Sequence, residues 1–176
     1  FNLDRVELLR GPSSVLNGQG AVAGTVNALT KQAVQTSTTN VNGLVSYGRF
    51  NTYQTAIGVN GPITDSLWYR VDASRFGSDG FVDRSTSGSS NITGSLLWRP
   101  SPRADVRLSV DYLDDDVGSY FGTPLLPAAA IVDPLDVITT RTGEGLDART
   151  RFVNYNVDDP VNGARQLLLR SDAEVR

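Results

Sequence analysis

From residue 40 onward, apolar and polar side chains alternate with period two, the spacing that sends successive residues to opposite faces of a strand. In segment 105–116, Val106, Leu108, Val110 and Tyr112 oppose Arg107, Ser109 and Asp111. Segment 66–76 sets Leu67, Tyr69, Val71 and Ala73 against Arg70, Asp72 and Ser74, and segment 91–99 sets Ile92, Gly94, Leu96 and Trp98 against Thr93, Ser95 and Arg99. Weaker alternation runs through 41–47 and 53–59. In 165–176, Leu167, Leu169, Ala173 and Val175 face away from Gln166, Arg170, Asp172 and Glu174. The pattern predicts about six strands of roughly ten residues.

The first 32 residues differ. Segment 1–9 reads as a strand around Val6-Glu7-Leu8-Leu9, and Gly11-Pro12-Ser13-Ser14 breaks it. Segment 15–31 is rich in small residues, with a second short strand over 25–30. A polar stretch, 33–39, reads as a linker. The expected organisation is a compact glycine-rich unit (1–32), a linker (33–39) and a run of strands (40–176).

The links between strands sort by length. Those at 61–65 and 100–104 are tight, whereas 77–88 and 117–163 are long. If the strands run up and down, both tight turns fall on one side and both long loops on the other; the short 48–51 link falls on the long-loop side. A soluble domain rarely carries a structureless loop longer than about 15 residues. An outer-membrane barrel does so routinely, with short turns at one end, an apolar outer face and a polar lumen. Strand length agrees, since a tilted spanning strand needs about 9–11 residues while sandwich strands average about five or six. Tyr69 and Trp98 lie on the apolar face near the tight turns, and Tyr47, Tyr53 and Tyr112 toward the other end, as two interfacial girdles would. The expected fold is all-β dominated: a partial transmembrane antiparallel barrel.

Composition narrows the chemistry. The 176 residues carry 16 basic and 19 acidic side chains, net −3, with no basic stripe of the kind a nucleic-acid binder shows. There is no histidine and no cysteine, which removes Ser-His-Asp triads, Cys-His nucleophiles, imidazole metal sites and disulfides. No enzyme activity and no cofactor are expected. The longest apolar stretches fall far short of the ~18 residues of a membrane helix. With no methionine, the chain is expected to be an internal piece of a longer protein. Gly18-Gln19-Gly20-Ala21-Val22-Ala23 matches the dinucleotide fingerprint, but no Asp or Glu occurs between Glu7 and Asp65 to hold a ribose. Asp114-Asp115-Asp116 lacks the spaced ligands of a calcium loop and reads as a charged rim.

The segment Leu3-Asp4-Arg5-Val6-Glu7-Leu8-Leu9-Arg10-Gly11-Pro12-Ser13-Ser14-Val15-Leu16-Asn17-Gly18, followed by Ala21-Val22-Ala23-Gly24-Thr25-Val26-Asn27 and Thr30-Lys31, resembles the closing part of the plug domain of TonB-dependent outer-membrane receptors. Two positions depart from the family pattern: Asn17, where an aromatic is common, and Ala23, where glycine is usual. The resemblance implies a fragment holding the C-terminal part of a plug and the first six strands of a barrel of about 22, in the outer membrane of a Gram-negative bacterium. It implies import of a ferric siderophore by active transport, energised by the TonB-ExbB-ExbD system, with outer-membrane lipid around the wall and no nucleic acid. The siderophore group is favoured partly by Phe121-Gly122-Thr123-Pro124-Leu125. Alternatives are another cargo (cobalamin, a glycan, another metal complex), a passive porin or a surface β-protein. The order of plug and barrel puts the tight turns in the periplasm and the long loops outside.

By the same resemblance, Glu7, Arg10, Gly11 and Pro12 are candidate plug–barrel contacts. Lumen-facing Arg70, Asp72, Arg107, Asp111, Arg170 and Asp172 are possible wall partners, or pair among themselves across neighbouring strands. In the long loop, Tyr120, Phe121, Arg141, Arg149 and Arg151 are candidate ligand contacts, because aromatics and guanidinium groups suit an anionic chelate. No metal ligand is expected from the protein.

Overall fold

The computed structural model describes residues 1–11, 24–120, 122–135, 140–156 and 162–175. Strands β1 (Leu3–Arg10) and β2 (Gly24–Thr30) form an antiparallel pair in register from Leu3↔Thr30 to Arg10↔Gly24. Six longer strands follow: β3 (Asn40–Tyr47), β4 (Tyr53–Thr64), β5 (Leu67–Ser78), β6 (Ser87–Ser101), β7 (Ala104–Asp116) and β10 (Gly163–Val175). They make one antiparallel meander in which every strand pairs with its neighbour in this order. Between β7 and β10, the long connection contains β8 (Pro134–Leu135) paired with β9 (Leu146–Asp147), and two short 3₁₀ turns.

The expected strands are all present, and several are longer than their alternation suggested. β4 runs through Gly61 and Pro62 to Thr64, with a register irregularity between Pro62 and Thr64. β6 runs to Ser101, with another between Trp98 and Ser101. Such irregularities break the period-two signal while pairing continues beyond them, so the links read at 61–65 and 100–104 shrink to two residues each.

The two faces of the meander differ as expected. On the outward face, Ile57 lies beside Ala73, Val59 beside Val71, Leu96 beside Leu108, and Val110 beside Leu169. These side chains stay open: Val45 is 82% and Leu169 72% exposed. So large an apolar face needs a cover. The inward face carries Asn60, Asp72, Thr93 and Ser95, all buried. It is not uniformly polar, however. Trp68 and Leu97, partners across β5 and β6, are buried there with Ala33 as a small apolar cluster. Their cover comes from the segment between β2 and β3, which crosses the inward face.

Candidate functional site

That crossing segment, residues 31–36, has no strand partner among the described residues, so its backbone groups must be satisfied elsewhere. The wall supplies them. Ser95 Oγ accepts from the Ala33 amide at 2.6 Å, Asn60 Oδ1 accepts from the Val34 amide at 3.1 Å, and Trp68 Nε1 donates to the Thr36 carbonyl at 2.9 Å. Arg99 Nη1 donates to Gln35 Oε1 at 2.6 Å while its fork holds Asp105 at 2.6 and 2.9 Å. The stretch read from sequence as a polar linker is a strap fastened along the wall. At its start, the Lys31 amide donates to the Asn2 carbonyl. The buried Asn2 side chain donates to Asn91 Oδ1, to Thr93 Oγ1 at 3.4 Å and to the Asp72 carbonyl at 3.4 Å.

Beside this foot lies a charge pair within one strand. Arg70 grips the fully buried carboxylate of Asp72 through Nε at 2.7 Å and Nη2 at 2.8 Å. The two residues are two apart on β5 and so share a face. The lumen charges therefore pair along a strand here, where cross-strand pairing was the alternative read from sequence. Gly58 of β4 stands opposite Asp72, and a Cβ there would collide with Asp72 Oδ1. Arg107 faces Asp172 in register, and Thr93 faces Asp111. Between the β1–β2 pair, the strap and the wall is a cavity of about 440 Å³, lined among others by Asp4, Arg5, Lys31, Arg70 and Arg107.

Of the candidate plug–barrel contacts, Glu7 accepts from Arg5 Nε at 2.8 Å, a bond within β1 between exposed side chains. Glu7 and then Asp4 raise the Arg5 pKa by holding its charged form. Arg10 ends β1, and Gly11 follows at φ +95°, a left-handed conformation that favours glycine. Pro12 lies outside the described residues.

Four of the five loop candidates are described; Phe121 lies outside. Tyr120 packs edge-on against Phe81, with ring centroids 5.6 Å apart, and shares a hydrogen bond with Thr123. Arg149 is committed to Asp147: its Nε and Nη2 reach the carboxylate at 2.9 and 2.7 Å, and its amide donates there too. Arg151 lies over the Phe152 ring, while Arg141 is exposed in a turn. The structure thus does not gather these candidates at one point. The fully buried Asp147 carboxylate also takes the amides of Val132 and Asp133. Arg149 first, then the Val132 amide, hold it far below the usual carboxylate range, and Asp147 in turn raises Arg149.

A second buried polar residue joins the two long loops. Asn154 Nδ2 donates to the carbonyls of Arg84 and Ser119, and Arg84 Nη2 donates to the Asn154 carbonyl at 2.6 Å. The sequence does not single out Asn154, Asp147 or the strap anchors Asn60, Trp68 and Ser95. Only Asp147 left a readable trace, as an acidic residue two positions before a candidate arginine.

A six-stranded meander with an apolar outward face, whose inward face holds the end of an N-terminal two-stranded unit, has the plug-and-barrel fold. The fold class expected from sequence is present. No protein-family model matches the chain. The ferric enterobactin receptor of Pseudomonas aeruginosa is 33% identical over an alignment of 112 residues that covers 60% of this chain and 15% of that receptor. The metal-pseudopaline receptor of the same species is 30% identical over 102 residues, 57% of this chain and 14% of that receptor. The crystal structure of the P. aeruginosa ferripyoverdine receptor of the outer membrane, bound to ferripyoverdine, superposes with a TM-score of 0.69 at 22% identity; it covers 97% of this chain and 21% of that one. The chain spans about a seventh of the curated relatives it matches. The resemblance to TonB-dependent receptors of the siderophore group holds by sequence and by fold.

Proposed function

We propose that this chain is a portion of an outer-membrane receptor that imports ferric siderophores, with residues 1–32 closing a plug, 33–39 joining it to the wall and 40–176 opening the barrel. One observation carries the reading: a single sheet exposes an apolar face on one side and on the other fastens the strap that follows a two-stranded glycine-rich unit. Water disfavours the first face, and lipid accepts it. A passive porin has no need of the second. Energy would come from the TonB-ExbB-ExbD system acting on the plug, and the protein acts as a carrier, not as an enzyme.

On this reading the loops 79–86 and 117–162 face the outside. Tyr120, Phe121, Arg141, Arg149 and Arg151 remain the proposed cargo contacts, with Arg141 the most available and Arg149 the least, since Asp147 already occupies its fork. Glu7, Arg10, Gly11 and Pro12 remain proposed contacts to wall beyond these six strands. The similarity to a metal-pseudopaline receptor favours a second cargo class, another metal complex, on the same machinery. The test is uptake of radiolabelled iron chelates and of other labelled metal complexes by a Gram-negative strain lacking the gene, with and without the complementing gene. The receptor reading expects uptake of a chelate that needs the gene and stops when the proton gradient is collapsed. Gene-dependent uptake that survives the collapse contradicts energy coupling.

A further inference from the structure

We propose that the strap, residues 31–36, is a fixed anchor at which rearrangement of the plug stops, with Asn60, Trp68, Ser95 and Arg99 as its fastenings. The proposal rests on the plug reading above and adds where the moving part ends. It follows from where the backbone hydrogen bonds go. The β1–β2 unit pairs the backbone groups that face each other within its own ladder, from Leu3↔Thr30 to Arg10↔Gly24. It can therefore shift as a unit without orphaning those groups. The strap has no ladder. Its amides at Ala33 and Val34 and its carbonyl at Thr36 are held by side chains from three wall strands, β4, β5 and β6. Lifting it would leave the buried Ser95 and Asn60 and the Trp68 N–H unpaired, and would uncover the Ala33–Trp68–Leu97 cluster. Asn2, whose side chain is itself fastened to the wall at Asn91, Thr93 and Asp72, and Lys31, bonded to it backbone to backbone, mark the seam between the two regimes at both ends of the β1–β2 unit.

Amide hydrogen exchange resolved by segment tests this on the full-length protein in lipid bilayers, with urea raised to loosen the plug. The expected result is that the Ala33 and Val34 amides stay as protected as β4–β6 while β1 and β2 lose protection. Ser95→Ala should speed Ala33 exchange roughly tenfold or more, because the buried N–H loses its acceptor. Trp68→Phe keeps an aromatic ring in the cluster but removes the donor to Thr36 and part of the indole's packing, and it should release residues 34–36 without exposing β5. Strap amides that exchange together with β1 and β2, while the wall stays protected, overturn the proposal and leave the receptor reading standing. Wall strands that exchange freely in the bilayer overturn both.

Discussion

Arg70 and Asp72 offer a quantitative test of the inward face. Asp72 is 0% exposed, and its carboxylate has both oxygens in the Arg70 fork at 2.7 and 2.8 Å. Arg70→Ala would leave that carboxylate buried without its counter-ion, which costs about 3–5 kcal/mol. Replacing both residues together, as in Arg70→Met with Asp72→Leu, removes the stranded charge and should recover most of the loss, since apolar replacement of a buried pair is often near neutral. Gly58→Ala attacks the same pair sterically, because the new methyl takes the place of Asp72 Oδ1 and comes within 2.8 Å of Asn42 Oδ1; its expected cost is about 1–3 kcal/mol. The assay is urea unfolding in detergent micelles followed by tryptophan fluorescence. With a urea slope of about 1–3 kcal/mol/M, Arg70→Ala should lower the midpoint by at least about 1 M. A shift no larger than that of a surface substitution, about 0.5 kcal/mol, would refute the buried-pair reasoning, as would a double variant as unstable as the single one.

Further outcomes follow from the loops and the edges. The folded-state pKa of Asp147 lies below its ordinary value, so its contribution is present above about pH 4 and is lost as pH falls through the folded value. Limited proteolysis should find segment 126–151 intact at pH 5 and open only in strong acid, whereas Asp147→Asn should open it at every pH. Asn154→Ala removes the side-chain bonds to the Arg84 and Ser119 carbonyls and keeps the Arg84 bond to its own carbonyl. It should make both 79–86 and 151–156 sensitive to protease while the strands stay resistant, and cleavage confined to one loop contradicts the latch. Among the described residues β3 and β10 are the outermost strands of the sheet, each with a neighbour on one side. The isolated chain should therefore aggregate in water without lipid or detergent, and a monodisperse soluble product in light scattering contradicts the open-edged wall.

Strand alternation makes the meander and its outward face legible, because Val106, Leu108 and Val110 keep period two, and Leu108 and Val110 stay open among the described residues. The ends of β4 and β6 were not legible, since irregular pairing near Pro62 and Trp98 interrupts the period while the ladder continues. Trp68 and Leu97 sat at positions where the pattern called for polar side chains. Their reason for being apolar is a strap more than thirty residues away in sequence, a contact that local periodicity does not encode. The loop candidates were chosen by residue type alone. Type could not reveal that Arg149 already serves Asp147 or that Tyr120 packs on Phe81.

The two tryptophans report on opposite faces: Trp68 is 4% exposed under the strap, and Trp98 is 49% exposed on the outward face. Quenching of each by bromine-labelled lipid acyl chains, in forms of the full-length protein whose other tryptophans are all replaced by Phe so that only Trp98 or only Trp68 remains, in bilayers, tests most directly whether the sheet is a membrane wall. The expected result is strong quenching of Trp98 and little of Trp68. Equal quenching of both, or none of Trp98, would contradict it.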